Sequence, residues 1–112
     1  ESLQGALERA GMPMSFIRCG GEDPVSEARE QWLAAANTVA LAPGVILTFQ
    51  ANGATNRRLQ EAGFSLLVPG EDELPAPPLA GRYAFAVPGV ELARGGGGPR
   101  CMTLPIRRTP SL

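Results

Sequence analysis

Apolar and polar positions follow two rhythms along this chain. Leu3, Ala6, Leu7 and Ala10 recur at the spacing of one helix face, which predicts a helix over residues 2–10 stopped by Gly11. Residues 14–19 read as a strand ending in Cys19, a thiol expected to be buried and structural, and Gly20-Gly21-Glu22-Asp23 as the loop after it. Asp23 before Pro24 is a helix start: a carboxylate for the unpaired first amides, then a residue with no amide to leave unpaired. That helix is expected to run to about Ala36, with Trp32 in the core because it continues an apolar face begun at Ala28. Residues 39–41 and 45–49 predict a hairpin turning at Ala42-Pro43-Gly44. A third helix over 53–62, capped by Asn52 or Thr55 and stopped by Gly63, precedes a strand over 64–68. A last strand is expected over 102–106, and Arg107 and Arg108 near an exposed end.

The order of elements partly repeats. Leu7, Ala10 and Gly11 return as Leu59, Ala62 and Gly63, Gly21-Glu22-Asp23 as Gly70-Glu71-Asp72, and Pro43-Gly44-Val45 as Pro88-Gly89-Val90. In the second copy Pro75-Ala76-Pro77-Pro78-Leu79 replaces the helix after the acidic loop, and its prolines predict a surface loop. Units of this size stack on neighbours because they cannot bury an apolar face alone. Fewer than two full units fit in 112 residues, so residues 1–112 are read as part of a larger repeat-built α/β domain.

Charge and composition narrow the function. The net charge of −1 argues against nucleic acid, and no apolar run approaches the length of a membrane span. All ten basic residues are arginine; the missing histidine removes the commonest general base and metal ligand. Cys19 and Cys101 make neither a disulfide framework nor a zinc spacing, so a reducing, cytoplasmic compartment is the default. Glu22, Glu27, Glu30, Glu71 and Asp72 are expected to be solvated.

The chemistry-bearing stretch is Glu91-Leu92-Ala93-Arg94, four glycines at 95–98, then Pro99-Arg100-Cys101-Met102-Thr103. Consecutive glycines let backbone approach a ligand and turn its amides or carbonyls inward, and a cysteine just after such a loop, with Arg94 and Arg100 nearby, sits where positive charge favours the thiolate. The same residues also suit a flexible linker followed by a small core thiol. A phosphate-binding P-loop is disfavoured, because no lysine and hydroxyl residue follow the glycines.

The full string from Glu91 to Thr103 resembles E-L-G-R-G-R-G-G-P-R/H-C-M, the closing signature of arginine deiminases. Gly20-Gly21-Glu22-Asp23, Glu27-Ala28-Arg29-Glu30-Gln31-Trp32, residues 37–45 and Asn52-Gly53-Ala54-Thr55-Asn56 agree with that family in order, so the resemblance spans about residues 20–108. It implies a five-fold pseudo-symmetric α/β propeller of ββαβ repeats, of which this chain is the C-terminal part, and a cofactor-free hydrolysis of arginine to citrulline and ammonia. By position Cys101 is the nucleophile, and Gly95 matches a loop residue whose backbone lies near the substrate. The family's histidine and two guanidinium-binding carboxylates precede this segment. The implied partner is a small guanidine compound, arginine first, with a homo-oligomer possible for the whole protein.

The sequence departs from the family in four places. Gly96 replaces an arginine that helps bind the substrate carboxylate. Trp32-Leu33-Ala34-Ala35-Ala36-Asn37 stands for W-N-D-G-A-N, Ala51 for an arginine, and residues 71–87 form an insertion. These differences keep two other readings open: a related amidinotransferase using the same kind of cysteine, and an inactive relative that only binds a guanidine compound or a protein.

Overall fold

A computed structural model describes residues 2–107 and 109. Helix α1 (Leu3–Arg9) begins at Ser2, whose hydroxyl accepts from Gly5 N at 3.2 Å, and α3 (Gly53–Glu61) lies further along the chain. Gly11 and Gly63 follow these two helices in the left-handed region, as their stop signals predict. Helix α2 (Pro24–Trp32) starts as expected, with Asp23 Oδ2 accepting from Ser26 N at 2.8 Å. It stops at Trp32, short of the expected Ala36. The chain turns there through Ala34 at φ +55, with Ala35 N bonded back to Glu30 O.

Strands β1 (Val39–Ala42) and β2 (Val45–Phe49) form the expected hairpin, with a bulge at Leu41. Strands β3 (Ser65–Leu67) and β4 (Tyr83–Val87) complete a mixed sheet in the order β1-β2-β4-β3. Strands β2, β4 and β3 run parallel, and β1 is antiparallel to β2. Two short elements follow: α4 (Val90–Arg94) and the 3₁₀ turn η1 (Pro99–Met102). The architecture is α/β. Val45, Phe49, Ala84 and Ala86 fill the middle of the sheet and Leu59 of α3 packs into the same core, all buried.

Several expectations fail for physical reasons. Residues 12–18 join no ladder, and Met12, Met14 and Phe16 stay about half exposed. Their alternation gives the strand pattern, yet the sheet ends at β1 and β3 with no edge beside them. Residues 103–107 likewise form no strand and Met102 lies in η1, so the strand expected over 102–106 is absent. Trp32, assigned to the core, is 84% exposed, while Glu30, assigned to solvent, is 0% exposed. Helix α2 therefore turns its polar side inward. Pro43-Gly44 turns the hairpin whereas Pro88-Gly89 leads from β4 into α4, so this third correspondence of the repeat fails. The proline-rich stretch is loop, as predicted; Arg107 is exposed, and Arg108 lies outside the described residues.

The buried polar groups explain the inversion of α2. Glu30 Oε1 accepts from Ala54 N at 2.7 Å, and Oε2 from Thr55 N at 2.8 Å and Thr55 Oγ1 at 2.6 Å. A carboxylate on α2 thus caps the free amides of α3, where its charge also suits the positive end of the helix dipole. Asn52 holds the N-cap position but makes no capping bond; its Nδ2 donates to Leu33 O at 3.1 Å instead. Thr55 Oγ1 also accepts from Gly20 N at 2.8 Å, which ties the loop before α2 to the same cluster.

Candidate active site

Sheet topology brings distant segments together. Strand β1 runs antiparallel to β2, so the residues just before β1 lie at the C-terminal end of β2. Strand β4 is parallel to β2, and its chain leaves at that same end, where Gln50 N bonds to Val87 O at 2.8 Å. Asn37 and Cys101, 64 residues apart, meet there. A Cβ on Gly89 would stand 2.2 Å from the buried Phe49 ring, so only glycine lets α4 begin this close to the sheet.

Asn37 is the centre of the arrangement. Its Oδ1 accepts from Arg100 N at 2.8 Å and Cys101 N at 3.3 Å, and its Nδ2 donates to Cys101 Sγ at 2.9 Å. Cys101 sits exposed in η1, with its amide also bonded to Gly98 O at 3.1 Å. Hydrogen bonding from the Gly98 backbone, then from Asn37, lowers the Cys101 pKa; Arg100 adds a smaller favourable charge. Arg94, expected to share that role, is exposed and paired with Glu91 at 3.1 Å. The thiolate is therefore favoured mainly by hydrogen bonds rather than by flanking arginines.

Gly95 closes α4 in ordinary helical conformation and is exposed, and Gly96 follows in the left-handed region at φ +82. An arginine at position 96 would be strained in this backbone. Asn37 also lines an open cleft of about 510 Å³ together with Cys19, Glu27, Gln31, Ala34 and Ala36. Cys19 is half-buried in a turn rather than at a strand end, and its pKa is raised by burial, opposed by a Thr55 hydrogen bond and assisted by Glu30. The two thiols are thus poised in opposite directions. Asn37 was visible to sequence reading only as one letter of a motif; nothing in local periodicity marks it as a partner of residue 101.

The sequence model of the family described as Arginine deiminase matches residues 1–108. Among similar proteins, the arginine deiminase of Listeria innocua is 42% identical over 102 residues, covering 90% of this chain and 21% of the relative. That of Borrelia duttonii is 37% identical over 98 residues, covering 88% of this chain and 20% of its own length. That of Mycobacterium avium is 38% identical over 108 residues, covering 96% and 22%. The chain spans about a fifth of the length of the relatives it matches. With nearly all of its residues matched, and a cysteine that follows the glycines at 95–98 held at the end of the sheet by Asn37, the chain belongs to the arginine deiminase family.

Proposed function

We propose that residues 1–112 are the nucleophile-bearing C-terminal part of a hydrolase that converts arginine to citrulline and ammonia. In this reading the chain completes a five-fold α/β propeller of ββαβ repeats. Neighbouring repeats then cover the exposed Met12, Met14, Phe16 and Trp32. The Cys101 thiolate attacks the guanidinium carbon, one terminal C–N bond breaks, and that nitrogen leaves as ammonia after taking a proton. Water then attacks the S-linked thiouronium carbon, the C–S bond breaks, and citrulline and thiolate result. Gly95 presents backbone near the substrate. The proton-moving group is not a histidine of this chain, which has none. The reaction needs no cofactor, and the protein acts in the cytoplasm, as a homo-oligomer in its complete form.

The observation that carries this reading is how the cysteine is held. An acyl-transfer cysteine needs free backbone amides aimed at a developing oxyanion. Here the amides of Arg100 and Cys101 are committed to Asn37 Oδ1. Attack on a guanidinium cation develops no oxyanion, so it loses nothing by that commitment. The test is a citrulline and ammonia assay of the full-length protein beside its Cys101→Ser variant. Citrulline from the wild type alone supports the reading. A variant that keeps its rate overturns it, and arginine-dependent transfer to an added amine in place of citrulline points to an amidinotransferase.

A further inference from the structure

We propose that Asn37 is the positioning residue of the Cys101 site: its amide oxygen clamps the cysteine-bearing turn, its amide nitrogen steadies the sulfur as an anion, and position 98 is glycine to give it room. The inference rests on Cys101 being the nucleophile, and goes beyond it by naming what prepares that nucleophile.

Three independent features converge on the asparagine. The first is its doubled use: Oδ1 accepts from two successive amides, Arg100 N and Cys101 N, while Nδ2 faces Sγ at 2.9 Å. A carboxylate of the same shape would supply the acceptor without the donor, and a serine would supply neither at this reach. Secondly, a Cβ on Gly98 would lie 2.6 Å from Asn37 Cβ and 2.8 Å from its Cγ and Oδ1. The Asn37 Cβ is fixed by its backbone, so a side chain at position 98 could be relieved only by turning the amide away from Cys101. The third feature is upstream. Ala34 adopts φ +55, a conformation that costs an L-residue about 1–2 kcal/mol. It lies in the turn that ends α2, where Asn37 N bonds to Ala34 O at 2.9 Å. Alanines 34–36 would otherwise extend the helix and carry Asn37 away from Cys101.

The decisive variant is Asn37→Asp. It keeps an acceptor for the Arg100 and Cys101 amides, so the turn should hold, but sets a carboxylate against the sulfur. Both the loss of the donor and the added negative charge disfavour the thiolate. The experiment measures the rate of Cys101 alkylation by iodoacetamide against pH in full-length wild type, Asn37→Asp and Gly98→Ala, with peptide mapping, beside thermal midpoints and kcat and KM for arginine. For Asn37→Asp the expected results are a thermal midpoint near wild type and an alkylation curve displaced to higher pH. Its rate at neutral pH should fall about three- to tenfold, one hydrogen bond to a charged group discounted for exposure to water. Loss should appear in kcat with KM little changed, because Asn37 acts on the nucleophile. Gly98→Ala should displace the alkylation curve in the same direction by pushing Asn37 off the sulfur, and it serves as the test if Asn37→Asp fails to fold. An alkylation curve superimposable on wild type in either folded variant overturns the proposal. Alkylation needs no turnover, so this outcome is separate from the failure of the functional reading, which would be a Cys101→Ser protein that still makes citrulline.

Discussion

Replacing Glu30 by glutamine removes one oxygen from a buried carboxylate that caps another helix. Its two oxygens accept from Ala54 N, Thr55 N and Thr55 Oγ1 at 2.6–2.8 Å, with a longer contact from Arg29 Nη2 at 3.3 Å. A glutamine keeps one acceptor, so its NH₂ must face either the Ala54 amide or the Thr55 amide, donor against donor. Losing one charge-assisted hydrogen bond costs about 1.5–3 kcal/mol, and a buried amide left unpaired about 1–3 kcal/mol. These overlap, so Glu30→Gln should destabilise the full-length protein by about 2–4 kcal/mol, a large share of a typical folding free energy. Urea unfolding should show a lower midpoint with an unchanged slope. The pH dependence has a definite sign. Burial pushes the Glu30 pKa up, but the hydrogen bonds from the Thr55 hydroxyl and the Ala54 and Thr55 amides outweigh it and hold the folded-state value low. The stabilisation is then full above the unfolded carboxylate pKa and is lost as pH falls through the folded value. Wild type and Glu30→Gln should therefore converge on acidification. A change below about 0.5 kcal/mol at neutral pH, or a difference that grows in acid, would refute the capping role.

Three further outcomes follow from the same geometry. Limiting iodoacetamide near neutral pH should label Cys101 well before Cys19, read by peptide mapping, since hydrogen bonds lower the first thiol and burial raises the second; preferential labelling of Cys19 would contradict the site. Gly89→Ala should cost about 1–3 kcal/mol in urea unfolding, because its Cβ would stand 2.2 Å from the buried Phe49 ring. The 112-residue chain alone should form no detectable citrulline from arginine, since a missing general acid–base by itself costs about 10²–10⁴-fold.

The elements most legible in the sequence were those specified locally. The Asp23-Pro24 start, the glycine stops after α1 and α3, and the Pro43-Gly44 hairpin each depend on a few adjacent residues, and all stand in the structure. What sequence reading missed was set by distant partners. Helix α2 looks amphipathic with Ala28 and Trp32 inward, yet Glu30 faces in because the α3 amides, 24 and 25 residues away, need an acceptor. Its Ala34-Ala35-Ala36 end has strong helix propensity, but the chain turns there and places Asn37 against Cys101. The cysteine was legible through the resemblance of its loop to the family's signature. Of the groups expected to favour its thiolate, the glycine-loop backbone and Arg100 do so, Arg94 instead pairs within its own helix, and the Asn37 contact, which crosses 64 residues of chain, was not foreseen. Exposed Met12, Met14, Phe16 and Trp32 show the complementary limit: apolar pattern marks surface to be covered without saying by what.

The most direct test of the central claim is to catch the covalent step. Full-length protein mixed with arginine, quenched in acid within a turnover and digested, should yield the Cys101 peptide heavier by arginine less ammonia, the mass of the thiouronium adduct. The adduct should be absent from Cys19 and from the Cys101→Ser protein, which should also make no citrulline. Citrulline produced at the wild-type rate by Cys101→Ser, or an adduct mapped to any other residue, would contradict the assignment of Cys101 as the nucleophile.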